Sequence, residues 1–198
     1  MQVYNRELYL RQVVPYIGKN LIKVITGQRR TGKSYLIKQI IRYIETNMPD
    51  VQIIYINMED YEFDHIRDYS DLIEYTENQK NTEQTALFID EIQEIAQFEK
   101  ALRHFLTKNN YDIYCTGSNA KLLSGDLATL LSGRSIGIEI FPLSYPEFLQ
   151  FHKLKNTDES FETYMLYGGM PNLIHLPLED EIVFNYLKNV YNTIIVRD

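Results

Sequence analysis

The sequence predicts an α/β fold: a parallel sheet with helices on both faces, followed by a small α-helical region. Three observations carry this expectation. Five short β-branched or apolar runs read as strands. Segments with helical spacing of apolar residues lie between them. After Phe141-Pro142 the strand signals stop while the helical ones continue. The division is placed so that 1–143 forms the α/β core and 144–198 the helical region.

Residues 5–14 carry Leu8, Leu10, Val13 and Val14 and read as a short helix ending before Pro15, with Gly18 marking a turn. Leu21–Thr26 is a compact β-branched run, the first strand. Lys33–Tyr43 reads as a helix, with Leu36, Ile37, Ile40, Ile41 and Ile44 at helical spacing. Val51–Asn57 is the second strand. The polar stretch 59–81 holds at least one helix, near Asp71–Glu77. Thr85–Asp90 is the third strand, and Phe98–Leu106 is a helix with Phe98, Ala101, Leu102, Phe105 and Leu106 on one face. Tyr111–Cys115 is the fourth strand, Leu122–Leu131 is helical in part, and Ser135–Ile140 alternates as a fifth strand. Three helices are expected beyond it, over Pro146–Phe151, Phe161–Tyr167 and Glu181–Val196. The last keeps its period through Val190, Tyr191, Ile194 and Ile195 with no capping glycine or proline, so the helical region is expected to be truncated at its C-terminal end; a natural terminal helix is the alternative.

Composition narrows the functional classes. Lys plus Arg is 20 and Asp plus Glu is 27, a net charge of −7. A surface built to grip a nucleic-acid backbone is therefore not expected in this stretch. A single cysteine, Cys115, excludes an internal disulfide and any zinc site with two or more thiolates, and the 4 histidines show no ligand spacing. No apolar run reaches transmembrane length, and the N-terminus has no signal-peptide core, so a cytoplasmic location without membrane contact is expected. The 16 Tyr and 9 Phe read as core and interface material.

One motif carries chemistry directly. Gly27-Gln28-Arg29-Arg30-Thr31-Gly32-Lys33-Ser34 fits G-x-x-x-x-G-K-[ST], a chance match of roughly 1% in a chain of ordinary composition. It follows a buried strand and opens a helix, the context that a phosphate-binding loop requires. Its glycines let the backbone close around phosphate oxygens, and its N–H groups with the helix N-terminus supply positive potential. Lys33 reaches the β- and γ-phosphates, and the Ser34 hydroxyl suits Mg²⁺. Tyr35 adjoins this nucleotide-binding set. Arg29 and Arg30 can touch a phosphate or a partner subunit, or simply face solvent.

The third strand ends in Asp90-Glu91 after four apolar residues, a Walker B pattern. Asp90 would hold Mg²⁺ through water, and Glu91 would act as general base on the attacking water. Glu59 and Asp60, after the second strand, are the next candidates for the base. The paired carboxylates favour ATP hydrolysis over simple binding.

Beyond these motifs, Asp90-Glu91-Ile92-Gln93, Thr116-Gly117-Ser118-Asn119, Gly133-Arg134, Phe141-Pro142-Leu143-Ser144 with Glu147-Phe148-Leu149, and Tyr167-Gly168-Gly169-Met170-Pro171 resemble the AAA-type ATP-binding proteins of bacteria and archaea, related to signalling (STAND-type) and origin-recognition ATPases. The resemblance covers almost the whole chain. It implies a P-loop NTPase with a five-stranded parallel sheet in order 5-1-4-3-2 and a helical lid, and further domains after it. It also implies a sensor of the γ-phosphate or lytic water at Ser118 or Asn119. Arg134 is placed where an arginine can meet the γ-phosphate of a neighbouring subunit in a homo-oligomer, and Pro171 where a proline packs on adenine. For each of these the alternative is structural: a capped turn, a surface arginine, a helix terminator. The adenine pocket's other wall would come from around Tyr9, Val13 and Val14, which serve equally as core.

Two functions compete on these residues. The first is Mg²⁺-dependent ATP hydrolysis driving conformational change. The second is an ATP/ADP-dependent switch that turns over rarely. A P-loop kinase is disfavoured because Glu91 directly follows Asp90 and no Arg-rich lid loop is visible.

Overall fold

The computed structural model describes residues 5–117 and 133–197, with side chains to residue 193. The sheet is β1 (Ile22–Gly27), β2 (Gln52–Asn57), β3 (Thr85–Asp90), β4 (Tyr111–Gly117) and β5 (Ser135–Ile140). Every pairing is parallel, and the order is β2-β3-β4-β1-β5. That is the expected order read from the other edge. Among the described residues, four helices accompany it: α1 (Glu7–Val13), α2 (Lys33–Asn47), α3 (Tyr69–Gln79) and α4 (Phe98–Lys108).

Parallel strands with helices on both faces must be apolar on both faces, and the sequence obliges. All six residues of β3 are buried. One face of the sheet packs Val24, Ile56, Leu87, Ile89, Ile113 and Cys115 against α3 and α4 through Leu72, Ala101, Leu102 and Phe105. The other packs Ile25, Ala86, Phe88, Tyr114, Ile138 and Ile140 against α1 and α2 through Val13, Leu36, Ile37, Ile40 and Ile44. Phe88 and Tyr114 stack there at 4.4 Å between centroids. Alternation along β3 therefore sends Ala86, Phe88 and Asp90 to the α2 face. Register finishes the placement. Asn57 pairs with Asp90, Ile89 with Cys115, and Thr26 with Gly117, so the carboxyl ends of four strands emerge together. Ligands of open α/β sheets bind at such ends.

Several element ends differ from the expectation. α1 ends at Val13, ahead of Pro15 as the sequence predicts, but the chain then continues as a 3-10 turn over Val14–Tyr16, whose first turn has no use for the missing N–H. α2 runs on to Asn47, and β4 reaches Gly117 instead of ending at Cys115. Short 3-10 turns at Tyr61–Phe63, Ile92–Glu94 and Pro171–His175 carry no apolar period and gave no signal. The expected helix over Leu122–Leu131 lies outside the described residues.

By its contacts the chain divides into two compact units. One holds residues 5–27 and 33–140, and the other holds 28–32 with 141–198. The second unit contains α5 (Tyr145–His152), α6 (Asp158–Tyr167) and α7 (Asp180–Arg197). Ser144 and Glu147 form a capping box at the start of α5, and Thr157 caps α6. Leu143 N–H donates to the Gly169 carbonyl at 2.6 Å, and a Cβ on Gly169 would overlap the Leu143 carbonyl. That close backbone approach requires glycine and ties Leu143 to the Gly168-Gly169-Met170-Pro171 segment.

Candidate nucleotide site

Gly27 ends β1, and Lys33 is the first residue of α2. Between them the backbone makes a tight excursion. Gly27, Arg30 and Gly32 all have positive φ, at 144°, 67° and 99°. A side chain at Gly32 would meet no atom, so its glycine answers to backbone conformation and not to space. Thr31 closes the loop on itself, its hydroxyl donating to the Gln28 carbonyl at 2.8 Å. Arg30 is exposed and Thr31 is buried. Ser34 and Tyr35 follow in the first turn of α2, both partly buried. A fifteen-residue helix beginning at this point directs its positive end to the loop.

Lys33 is 5% exposed. Its Nζ donates to the Gly27 carbonyl at 3.2 Å and stands 3.8 Å from Glu91 Oε1. Asp90 is 1% exposed, and both of its carboxylate oxygens accept hydroxyls. The Thr116 hydroxyl from β4 donates to Oδ1, and the Tyr55 hydroxyl from β2 donates to Oδ2 at 3.1 Å. Burial first, and the Asp90 charge second, push the Tyr55 phenol above its ordinary pKa, so it remains a donor.

Glu91 leaves the strand in the left-handed region, with φ 55° and ψ 50°. For a non-glycine residue this costs roughly 1 kcal/mol. The turn is held by Glu91 N–H donating to Thr116 Oγ at 3.0 Å, and by Gln93 Nε2 donating to Glu91 Oε2 at 2.6 Å. Thr116 thus fixes the Asp90 carboxylate and the Glu91 backbone with one hydroxyl. Lys33, Asp90 and Glu91, named from separate motifs, meet at the carboxyl end of the sheet. Thr116, Tyr55 and Gln93 complete the group. Thr116 and Gln93 lie inside the motifs above without a residue type that marks them, and nothing local in the sequence marks Tyr55.

The donors fit a hard cation. Asp90 supplies an oriented carboxylate and Ser34 a hydroxyl, the oxygen chemistry that suits Mg²⁺. Among the described residues no cluster of three or more His, Cys, Asp or Glu could hold a metal unaided.

The other expected site residues are placed as follows. Ser118 and Asn119 lie outside the described residues. Arg134 is exposed immediately before β5, its carbonyl accepting from Ile22 N–H at 2.9 Å. Pro171 is the first residue of the Pro171–His175 turn and is partly buried. Tyr9 and Val13 are buried among the α2-side core residues, with the Arg6 guanidinium 4.5 Å over the Tyr9 ring, and Val14 is partly buried. Asp60 caps the 3-10 turn at Tyr61–Phe63, accepting from Glu62 N–H at 3.2 Å. Glu59 is exposed, and its N–H donates to Asn57 Oδ1 at 3.2 Å. Among the described residues no helix is long and apolar enough to cross a membrane.

The chain is 36% identical over 203 residues to an uncharacterized protein of Haemophilus influenzae, covering 98% of this chain and 50% of that protein. It is 35% identical over 212 residues to an uncharacterized protein of Methanocaldococcus jannaschii, covering 99% of this chain and 45% of that one. The chain thus spans about half the length of the curated relatives it matches. Its fold is similar to that of AMPPCP-bound DnaA from Aquifex aeolicus, with TM-score 0.56, 15% identity, and 88% and 60% of the two chains covered. It is similar also to Saccharomyces cerevisiae Hsp104 with ADP, with TM-score 0.60, 16% identity, and 87% and 30% covered. A third likeness is to the Aeropyrum pernix ORC1 protein in complex with DNA, with TM-score 0.55, 13% identity, and 75% and 48% covered. At such identities these structures speak for the fold alone. Residues 19–149, which include the loop, all five strands and the Asp90-Glu91 pair, match the family described as an AAA domain, and the chain belongs to that family.

Proposed function

We propose that this chain binds ATP with Mg²⁺ and hydrolyses its terminal phosphoanhydride to drive conformational change. The carrying observation is the convergence of Lys33, Asp90 and Glu91 on one strand-end group, with the ammonium 3.8 Å from the Glu91 carboxylate. Membership of the AAA domain family supports the reading.

In this reading the 27–32 backbone and the α2 N-terminus receive the phosphates, and the Lys33 ammonium lies against the β- and γ-oxygens. Ser34 and Asp90 would hold Mg²⁺, which when bound withdraws charge from the phosphates. Glu91 Oε2 is pinned by Gln93, and the carboxylate takes the proton of the attacking water. Ser118 or Asn119 senses the γ-phosphate, Arg134 completes a neighbouring subunit's site, and Pro171 packs on the adenine of the lid side.

The test is phosphate release from Mg²⁺-ATP, run beside a count of nucleotide retained through gel filtration. Saturable turnover supports hydrolysis. Retained nucleotide with less than one phosphate released per chain per hour makes the protein a slow switch instead. If it neither retains nucleotide nor releases phosphate, the reading fails. The role of Arg134 is tested by mixing Arg134→Ala with Lys33→Ala. Activity recovered in the mixture shows an arginine acting across subunits, and Arg134→Ala alone as fast as wild type makes it a surface residue.

A further inference from the structure

Asp90 is held in a way that neither Walker motif explains. A carboxylate at a strand end can rotate about its last bond and offer either oxygen. Here both oxygens are taken by hydroxyls, and the hydroxyls come from the two strands that flank β3. In register Tyr55 pairs with Phe88, two residues before Asp90, so its ring extends along the sheet until the phenol reaches Oδ2 at 3.1 Å. Thr116 answers from β4 on Oδ1. Rotation of the carboxylate would break both bonds. Ring packing needs only phenylalanine at this position; the hydroxyl has Asp90 as its partner.

We propose that Tyr55 is a positioning residue for divalent-cation binding, bracing the Asp90 carboxylate together with Thr116 so that its remaining lone pairs face the cation. This rests on the ATP-Mg²⁺ reading above. Partners behind a metal ligand commonly change metal affinity by about 10–100-fold when removed. Because the brace acts through Asp90, it should alter the Mg²⁺ requirement and leave the grip of the loop on phosphate untouched.

The experiment titrates MgCl₂ into the full chain with a fluorescent ATP analogue and follows binding, not turnover. Tyr55→Phe is expected to raise the Mg²⁺ half-saturation about tenfold, with analogue affinity in EDTA and the melting temperature unchanged. In an Asp90→Asn background the same substitution is expected to add nothing, because the group it acts through is gone. An unchanged half-saturation in Tyr55→Phe, or an equal further shift on top of Asp90→Asn, overturns the proposal and reduces Tyr55 to packing. Thr116→Val, close in shape, carries the same measurement from β4 should Tyr55→Phe fold poorly. A wild-type chain whose analogue binding ignores Mg²⁺ overturns the parent reading and the brace with it. A wild type that responds to Mg²⁺ through Asp90, beside a silent Tyr55→Phe, overturns the brace alone.

Discussion

Two buried lysines stand at opposite ends of the same sheet, and they are held differently. Lys23, near the start of β1, is fully enclosed. Its Nζ donates to the carbonyls of Leu21 at 2.7 Å and Lys19 at 3.2 Å, and to the Asp112 carboxylate, with the Tyr114 ring 4.8 Å away. Asp112 in turn accepts from Gly18 N–H at 2.8 Å and from the Tyr114 hydroxyl at 2.7 Å. An ammonium has three protons, and all three are committed. Burial lowers the Lys23 pKa, and Asp112 opposes that shift. Lys33, at the other end, faces its carboxylate across 3.8 Å, beyond direct hydrogen-bond reach. Burial of a cation therefore does not identify a site. Lys23 fastens β1 to β4, whereas Lys33 stands where the proposed reading places the phosphates.

The largest expected effect is at the Lys33 end of the sheet. Glu91→Gln should lower turnover by about a hundredfold or more, the scale of a lost general base, while ATP retention on a filter stays near wild type. Wild-type turnover in that variant would move the base elsewhere, to Glu59 or Asp60 first. Lys33→Ala should weaken ATP binding about a hundredfold in an analogue titration, for loss of a buried charge contact, with little change in melting temperature. Near-normal affinity there would sink the loop assignment.

The saturated end should respond in the opposite sense. Lys23→Met strands the Asp112 carboxylate and should cost about 3 kcal/mol in a denaturant melt, with ATP affinity of the folded protein unaltered. A loss of affinity instead of stability would break the comparison. The smallest effect belongs to the pair Lys23→Met with Asp112→Asn. The amide oxygen still serves Gly18 and Tyr114 and no charge is buried, so all but about 1 kcal/mol should return.

Much of this was legible in the sequence, for particular reasons. The loop and the Asp90-Glu91 pair are contiguous, so their spacing carries their meaning. Thr85–Asp90 and Ser135–Ile140 are legible to the residue because a buried strand leaves an unbroken apolar run and a half-buried one an alternating run. The order of the strands came from resemblance to a family, since periodicity does not say which strands are neighbours. What periodicity could not give is whatever strand register assembles. Thr116 reaches Asp90 across 26 residues of sequence and Tyr55 across 35, and each looks locally like one more strand residue. The left-handed turn at Glu91 was equally hidden, because a glutamate advertises no positive φ. Helix ends were missed where polar residues continue a helix past its apolar face, as in the last turn of α2.

The sheet's middle strand also carries a natural reporter. Cys115 is the chain's one cysteine, it is fully enclosed on β4, and burial pushes its thiol up to about 12 against a smaller opposing pull from Lys23. A disulfide reagent at neutral pH reaches that sulfur only when β4 is uncovered, so its reaction rate counts opening events of the central sheet without any engineered label. Ligands that bind the closed form alone slow such labelling in proportion to their occupancy. In the proposed reading the thiol therefore reports nucleotide binding, in a chain that has no tryptophan to watch.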